Sequence, residues 1–317
     1  MTYDGSDNPG PENHSRAATR DKARAIREEQ RKKESRNRLL LRGGIAVAIV
    51  AIAAIVVLVL TTSAAGPSTG PLNMASDGIV ISKDFTAVPT PALTKGESPV
   101  ATVRDKKSSV VSIRVYLDYF CPTCQSFESA NRTQLSKWLK SGAITLEIHP
   151  LSLLDRSSLG TAYSTRSANA AACVANYSPD EFWAFTQALY AKAPQVNTAG
   201  LSNGQLIDAA KRAKVHSVAR ISGCINTEKF KAWVADATSR ATAGPLPDSS
   251  VKTVSGPLTV IVDGQQYPIT TSDVGSAAAF AAFVEETAGA QFDSGGSSST
   301  PTPTPTPSPS PSPTATN

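Results

Sequence analysis

The feature that most restricts the fold of this chain is a pair of cysteines, Cys121 and Cys124, placed between a strand-like segment and a helix-like segment. Apolar and polar residues alternate over positions 111–118 and again over positions 144–149, which predicts two half-buried strands. Between them, apolar side chains recur at helical spacing until Ser141 and Gly142. Strand, helix and strand with short connections form a βαβ unit, whose strands should be parallel and whose crossover should be right-handed.

The rest of positions 100–290 predicts a helical stretch, then a hairpin and a last helix. Ser178 to Glu181 is typical of a capping box with proline at the first helical position. Further helices are expected over positions 161–175, 204–214 and 227–243. Positions 258–262 and 266–269 flank an Asp263-Gly264 turn as a hairpin, and positions 276–287 form the closing helix. A βαβ half and a ββα half, separated by a helical insertion at about positions 151–245, make an α/β domain on the thioredoxin plan.

A run of 23 residues without a charge, positions 43–65, precedes this domain. It is long and apolar enough to cross a bilayer as one transmembrane helix. Positions 20–42 carry ten Lys/Arg against four Asp/Glu, and such an excess is retained on the cytoplasmic side. We therefore expect positions 1–42 to be a basic cytoplasmic segment and everything after position 65 to lie outside the cytoplasm. A cleavable signal peptide is the alternative, because small residues at 63–65 offer a cleavage position.

The two flanks of the domain differ from it in composition. Positions 66–99 mix Pro, Ser, Thr and Gly with short apolar pieces, which predicts an extracytoplasmic linker. In the tail, positions 291–317, seven prolines alternate with Thr or Ser, which favours a disordered polyproline II segment or a plain solvated one. Of the net charge of +5, residues 1–42 contribute +4, residues 100–290 contribute +3, and the linker and tail contribute −2. No dense basic face remains for a nucleic acid.

The cysteine pair directly follows a strand and opens a helix, which is the context that makes a CxxC motif a redox hypothesis. Disulfide exchange requires a thiolate, and the unpaired N–H groups and dipole of a helix N-terminus favour that anion. Cys121, at the exposed start, is the expected nucleophile, and Cys124, one turn later, is the expected resolving thiol. The alternatives are a structural bridge, or half of a zinc site completed by Cys173 and Cys224.

The run from Tyr116 to Glu128, which contains Phe120-Cys121-Pro122-Thr123-Cys124, resembles DsbA-type thiol:disulfide oxidoreductases. Within that group it is similar to the membrane-anchored actinobacterial forms, and the resemblance covers roughly positions 100–290. It implies Cys121 as the attacking thiol and Cys124 as the resolving thiol. It also implies a substrate-binding Gly256-Pro257 segment with Pro257 as a cis-proline. The proline arrives one position early relative to the turn, so an ordinary proline at the start of a strand is the alternative.

Other residues of the domain carry weaker expectations. Two further cysteines in an extracytoplasmic domain are most simply a structural disulfide, here Cys173–Cys224, and a relay pair is the alternative. By the resemblance, Glu128 is a candidate to assist proton transfer to the resolving thiol. Asp118 is interpreted as a solvated charge on a strand, and His149 as a satisfied surface histidine at a strand end.

The function expected from these residues is extracytoplasmic oxidation of exported proteins. Thr123 stands where the strongest oxidants of the family have histidine, and threonine donates only a neutral hydrogen bond, which predicts a moderate oxidant. The expected partners are exported Cys-containing proteins, a membrane thiol oxidase that reoxidises the CPTC pair, and the membrane through one helix. No cofactor, metal or nucleic acid is expected. A reductase or isomerase on the same fold, or a non-catalytic membrane-anchored cell-wall protein, are the alternatives.

Overall fold

A computed structural model describes residues 70–106, 108–270 and 273–295, with side chains as far as residue 289. The predicted cytoplasmic segment, residues 1–42, and the predicted span, residues 43–65, lie outside these ranges, as does the tail after residue 295. Within the described ranges, no helix combines the length and the apolar character that a membrane-spanning segment needs.

A mixed sheet of five strands forms the centre of the domain, in the order β1-β3-β2-β4-β5. The strands are β1 (Ile79–Ile81), β2 (Val111–Leu117), β3 (Ile144–Pro150), β4 (Leu258–Val262) and β5 (Gln265–Gln266). β2 and β3 are parallel, with Val115 opposite Ile148, and the other three pairings are antiparallel. The predicted βαβ unit and hairpin are therefore present, although β5 is shorter than the expected 266–269.

Seven α-helices surround this sheet in the described part of the chain. They are α1 (Pro122–Ser141), α2 (Tyr163–Tyr177), α3 (Phe182–Tyr190), α4 (Asn203–Arg212), α5 (Val218–Asn226), α6 (Lys231–Ala243) and α7 (Ala277–Gly295). Helices α2 to α6 form the insertion between the two halves of the fold. The mixed α/β thioredoxin-like architecture with a helical insertion is thus confirmed.

Helix α1 positions the cysteine pair, and its sequence explains both of its ends. Pro122 occupies the first turn, where its missing N–H costs nothing and its fixed φ suits a helix. Gly142 adopts φ 76° directly after the last turn, and its N–H donates to the Leu139 carbonyl. A glycine suits this left-handed position because it has no Cβ. Phe127 and Leu135 on the buried side of α1 join the main core.

The predicted capping box at Ser178 is wrong. Pro179–Glu181 forms a 3₁₀ turn, and α3 begins after it. The Ser178 hydroxyl accepts the N–H of His216 at 2.7 Å and donates to Glu181 Oε2 at 2.6 Å. The Ser178 hydroxyl therefore accepts a hydrogen bond from a distant residue instead of the bond from its own helix that a cap would accept.

The helix predicted over residues 227–243 is α6, which begins only at Lys231, and the sequence analysis missed α5, which ends at Asn226 before the predicted start. Glu228 has φ 47°, a left-handed conformation that interrupts the helical backbone. The N–H of Phe230 then donates to Asn169 Oδ1 at 2.8 Å, which satisfies a backbone group at the start of α6.

The linker predicted over residues 66–99 is wrong for its described part, because residues 70–99 pack on the domain. β1 pairs antiparallel with β3, with Ile79 opposite Ile148. Met74, Ile79 and Ile81 are fully buried in the main core. The short apolar piece at 79–81 covers what would otherwise be an exposed sheet edge of β3.

Candidate active site

The cysteine pair lies where β2 ends and α1 begins, and the two cysteines are joined in a disulfide with their Cα atoms 5.2 Å apart. Cys121 is the N-cap residue of α1, and its Sγ accepts the backbone N–H of Cys124 at 3.0 Å. This bond places a helix N-terminal donor on the sulfur that is expected to react. A thiolate at Cys121 would therefore be stabilised by a backbone N–H and by the helix dipole.

The exposed position expected for Cys121 is wrong in this oxidised form. Both cysteines are 2% exposed, and they are joined to each other in the disulfide. Pro122 and Thr123 are the exposed residues of the turn. The two cysteines therefore differ in their bonding partners rather than in their exposure.

Pro257 faces the cysteine pair, but it is not a cis-proline. Among the described residues the one cis peptide bond is Gly244–Pro245. The Pro257 carbonyl accepts the N–H of Asp118 at 3.0 Å, which extends the β2–β4 ladder by one step beyond Leu117 and Leu258. The structure thus shows the alternative, a proline at the start of a strand.

Pro257 nevertheless lies at the redox site. Its carbonyl oxygen lies 3.0 Å from Cys124 Sγ. Gly256 precedes it, is partly exposed, and leaves open space where a Cβ would stand. Backbone that is open to solvent therefore adjoins the resolving cysteine.

Glu128 lies on α1, one turn after Cys124, and is buried. Its two carboxylate oxygens accept bonds from Arg132 Nε and Nη2, each at 2.8 Å. Glu128 and Cys124 both line a cavity of about 20 Å³. The structure brings the candidate carboxylate and the resolving cysteine to the same small space.

The interpretation of Asp118 as a solvated charge is wrong. Its side chain is fully buried. Its carboxylate accepts the backbone N–H groups of Phe120, Leu153 and Leu154 at 2.8–2.9 Å. Burial raises the pKa of Asp118, and these hydrogen bonds oppose that rise. Alternation along the strand indicated an exposed position because the sequence did not reveal that loops cover the end of β2.

The interpretation of His149 as a surface residue is also wrong. His149 is 2% exposed, and its ring stacks on Tyr116 with the centroids 4.2 Å apart. Its Nε2 lies 3.3 Å from Glu147 Oε1. Gly78, next to β1, packs so closely on the imidazole that a Cβ there would stand 2.6 Å from Nε2. The strand that covers His149 is β1, which the sequence analysis did not predict.

The other two cysteines lie within the helical insertion. Cys173 of α2 and Cys224 of α5 form a disulfide with their Cα atoms 5.9 Å apart, and both are buried. Each cysteine of the chain is thus paired with the partner that the sequence analysis favoured.

Comparison with known proteins identifies the family to which this chain is similar. The family described as Thioredoxin matches residues 100–278 of this chain. Among the curated proteins, none matches.

Solved structures with a similar fold include three actinobacterial chains. The reduced disulfide bond oxidoreductase DsbG of Mycobacterium tuberculosis is 27% identical, with 66% of this chain and 86% of that chain covered and a TM-score of 0.48. Oxidised DsbA of the same species is 27% identical, with coverage of 67% and 93% and a TM-score of 0.48. The thiol-disulfide oxidoreductase MdbA of Actinomyces oris is 22% identical, with coverage of 56% and 80% and a TM-score of 0.45.

Proposed function

Because the chain belongs to the thioredoxin family, we propose that its Cys121–Cys124 pair is the redox centre of an extracytoplasmic thiol:disulfide oxidoreductase that introduces disulfides into exported proteins. The observation that carries the proposal is the placement of Cys121 at the N-cap of α1, where its sulfur accepts the Cys124 N–H at 3.0 Å. A thiol leaves and attacks most readily where its anion is stabilised in this way.

The proposed reaction begins with the oxidised pair. A substrate thiolate attacks Cys121 Sγ, the Cys121–Cys124 bond breaks, and Cys124 leaves with the electron pair and takes up a proton. A second substrate thiolate then attacks the substrate sulfur of this mixed disulfide and releases Cys121 as a thiolate. The substrate has lost two electrons and two protons, and the CPTC pair has gained the two electrons. A membrane thiol oxidase is the proposed partner that removes them again.

The backbone around Cys124 supports different roles for the two sulfurs. In the reduced pair, a Cys124 thiol with the Pro257 carbonyl oxygen 3.0 Å away has an acceptor for its proton. A hydrogen bond donated by the neutral thiol favours the protonated form. At Cys121 the neighbouring backbone group is instead a donor, which favours the thiolate. Cys121 is accordingly the attacking sulfur, and Cys124 is the one that leaves and resolves.

The direction of the reaction depends on the reduction potential of this pair. Thr123 is exposed beside the cysteines, and it can offer a thiolate only a neutral hydrogen bond. We therefore propose a moderate oxidant.

Titration of the purified chain against reduced and oxidised glutathione tests this proposal. We expect a potential well above about −200 mV, in the range of oxidants. A potential near −270 mV would favour the reductase alternative. Absence of any exchange would contradict the proposal and favour the non-catalytic anchoring protein.

The location proposed for the redox domain is outside the cytoplasm, on a single membrane-spanning helix at residues 43–65. This proposal is supported by the uncharged run and by the basic residues that precede it. Exported proteins with unpaired cysteines would then meet the site as they emerge.

Protease treatment of intact protoplasts tests this placement. We expect residues 66–317 to be accessible from outside and residues 1–42 to be protected. Permeabilised protoplasts serve as the control, in which both parts should be cleaved. Recovery from the medium of a mature chain that begins near residue 66 would instead establish the cleaved-signal alternative.

A further inference from the structure

Asp118 is the residue that joins β2 to the turn carrying the cysteines. Its carboxylate Oδ1 accepts the N–H of Phe120 at 2.8 Å. Oδ2 accepts the N–H groups of Leu153 and Leu154 at 2.8 and 2.9 Å, and both of these belong to the loop that follows β3. One buried carboxylate therefore ties the turn before Cys121 to a second loop at the same edge of the sheet.

The main chain of Asp118 contacts the redox residues themselves. Its carbonyl accepts the N–H of Cys121 at 3.0 Å, and its N–H donates to the Pro257 carbonyl at 3.0 Å. The Pro257 carbonyl oxygen also lies 3.0 Å from Cys124 Sγ. Displacement of Asp118 would therefore alter the surroundings of both sulfurs.

The Asp118 carboxylate, whose pKa burial raises, is met by backbone N–H groups rather than by a cation. Among the described residues, no Lys, Arg or His forms an ion pair with it. The titratable side chains that interact with it are the phenols of Tyr163 and Tyr190, and the Tyr190 hydroxyl donates to the Asp118 carbonyl at 3.5 Å. Burial raises the pKa of both phenols, so both are uncharged in the working pH range. Arg166 lies 5.6 Å above the Tyr163 ring.

We propose that Asp118 is a positioning residue of the redox site, which holds the Cys121 turn in place and whose charge limits how far a thiolate on Cys121 is stabilised. The inference rests on the proposed thiol:disulfide exchange. A carboxylate three residues from the reacting sulfur, in a buried setting of low effective dielectric, opposes a second negative charge there. A less stable thiolate makes the disulfide less oxidising. The charge of Asp118 therefore opposes the stabilisation that the helix N-terminus gives to a Cys121 thiolate, and it contributes to a moderate reduction potential of the cysteine pair.

The test compares the wild type with Asp118→Asn in full-length protein. Asparagine keeps the size of the side chain but removes its charge, and one of its two terminal atoms can still accept backbone N–H bonds. We expect the equilibrium constant for oxidation of glutathione to rise about three- to tenfold, and the pH midpoint of Cys121 alkylation to fall. Asp118→Glu, which retains the charge on a longer side chain, should raise the equilibrium constant less than Asp118→Asn does.

Asp155→Asn is the matched control. Asp155 lies in the same loop and accepts the N–H and the hydroxyl of Thr165 at 2.9 and 2.6 Å, which places its contacts at the start of α2 rather than at the cysteine turn. Its replacement also removes one partly buried carboxylate that accepts hydrogen bonds. We expect it to lower the melting temperature and to leave the glutathione equilibrium unchanged.

The outcomes separate this inference from the proposed function. If the wild type exchanges with glutathione but Asp118→Asn behaves as Asp155→Asn does, or shifts toward a weaker oxidant, the role of Asp118 is overturned and the function stands. If the wild type does not exchange, both are overturned. Should Asp118→Asn not fold, Asp118→Ser removes the same charge from a smaller side chain and carries the same expectation.

Discussion

Replacing both Cys173 and Cys224 by alanine is expected to lower the free energy of unfolding by about 4 kcal/mol while leaving thiol exchange at Cys121 nearly intact. The two residues are 51 positions apart and link α2 to α5. In the chain-entropy account, the bridge stabilises the fold by restricting the unfolded chain, and a loop of this length corresponds to about 4 kcal/mol. For a domain of this size the loss amounts to roughly 10 °C in melting temperature, which calorimetry or thermal circular dichroism would measure.

The control for this prediction is the double serine variant, which keeps a small polar atom at each position and should lose as much stability as the alanine pair. The wild type in excess reductant should approach the same melting temperature. A double variant that melts as the wild type does but turns over poorly would contradict the structural role. It would indicate instead that Cys173 and Cys224 relay electrons from the CPTC pair.

The central unit of the fold could be predicted because its signals are local. Period-two alternation marked β2 and β3, and a proline at the first turn and Gly142 after the last turn marked α1. Short connections then required a parallel pair, which the register of Val115 opposite Ile148 shows. The placement of Cys121 at a helix N-terminus followed directly from these elements.

Elements that depend on tertiary contacts could not be predicted in this way. β1 has three residues within a segment rich in Pro, Ser and Thr, so its pairing with β3 has no local signal. The hydroxyl of Ser178 bonds to the distant His216 N–H, which no capping pattern anticipates. The break between α5 and α6 depends on Asn169, which lies on another helix.

The polar faces of the two central strands show why the surroundings of the site were misjudged. Arg114 on β2 and Glu147 on β3 alternate with apolar residues, and this pattern predicts a solvated face. In the structure both are buried and their Nε and Oε2 atoms lie 2.7 Å apart. Burial alone raises the pKa of Glu147, but attraction to His149 and Arg114 lowers it overall, well below its ordinary range. Polar residues that pair with one another thus follow the same pattern as a solvated face, and His149, 3.3 Å from Glu147, was assigned to the surface for the same reason.

The account depends most on the different roles of the two cysteines of the CPTC motif. Cys121 is expected to form a mixed disulfide with a substrate. Where the second substrate thiolate does not act first, Cys124 ends that intermediate by attacking Cys121 and displacing the substrate sulfur. A thiol held one helical turn away, with its Cα 5.2 Å from that of Cys121, has an effective concentration that a free thiol does not reach. Cys124→Ser keeps the size of the side chain and the start of α1 but removes the resolving nucleophile.

The measurement that tests this claim most directly is covalent trapping by Cys124→Ser in cells that export Cys-containing proteins, read on non-reducing gels after acid quenching and thiol blocking. We predict that reductant-sensitive adducts accumulate with Cys124→Ser, at least about tenfold above the wild type. In this variant the Cys121 thiolate attacks a disulfide of an exported protein and releases the other substrate sulfur as a thiol, and no neighbouring thiol remains to displace the bound substrate. Cys121→Ser, with equal expression, should give none. If Cys124→Ser traps nothing, or if Cys121→Ser traps as much, Cys121 is not the attacking sulfur and the proposed oxidoreductase mechanism is contradicted.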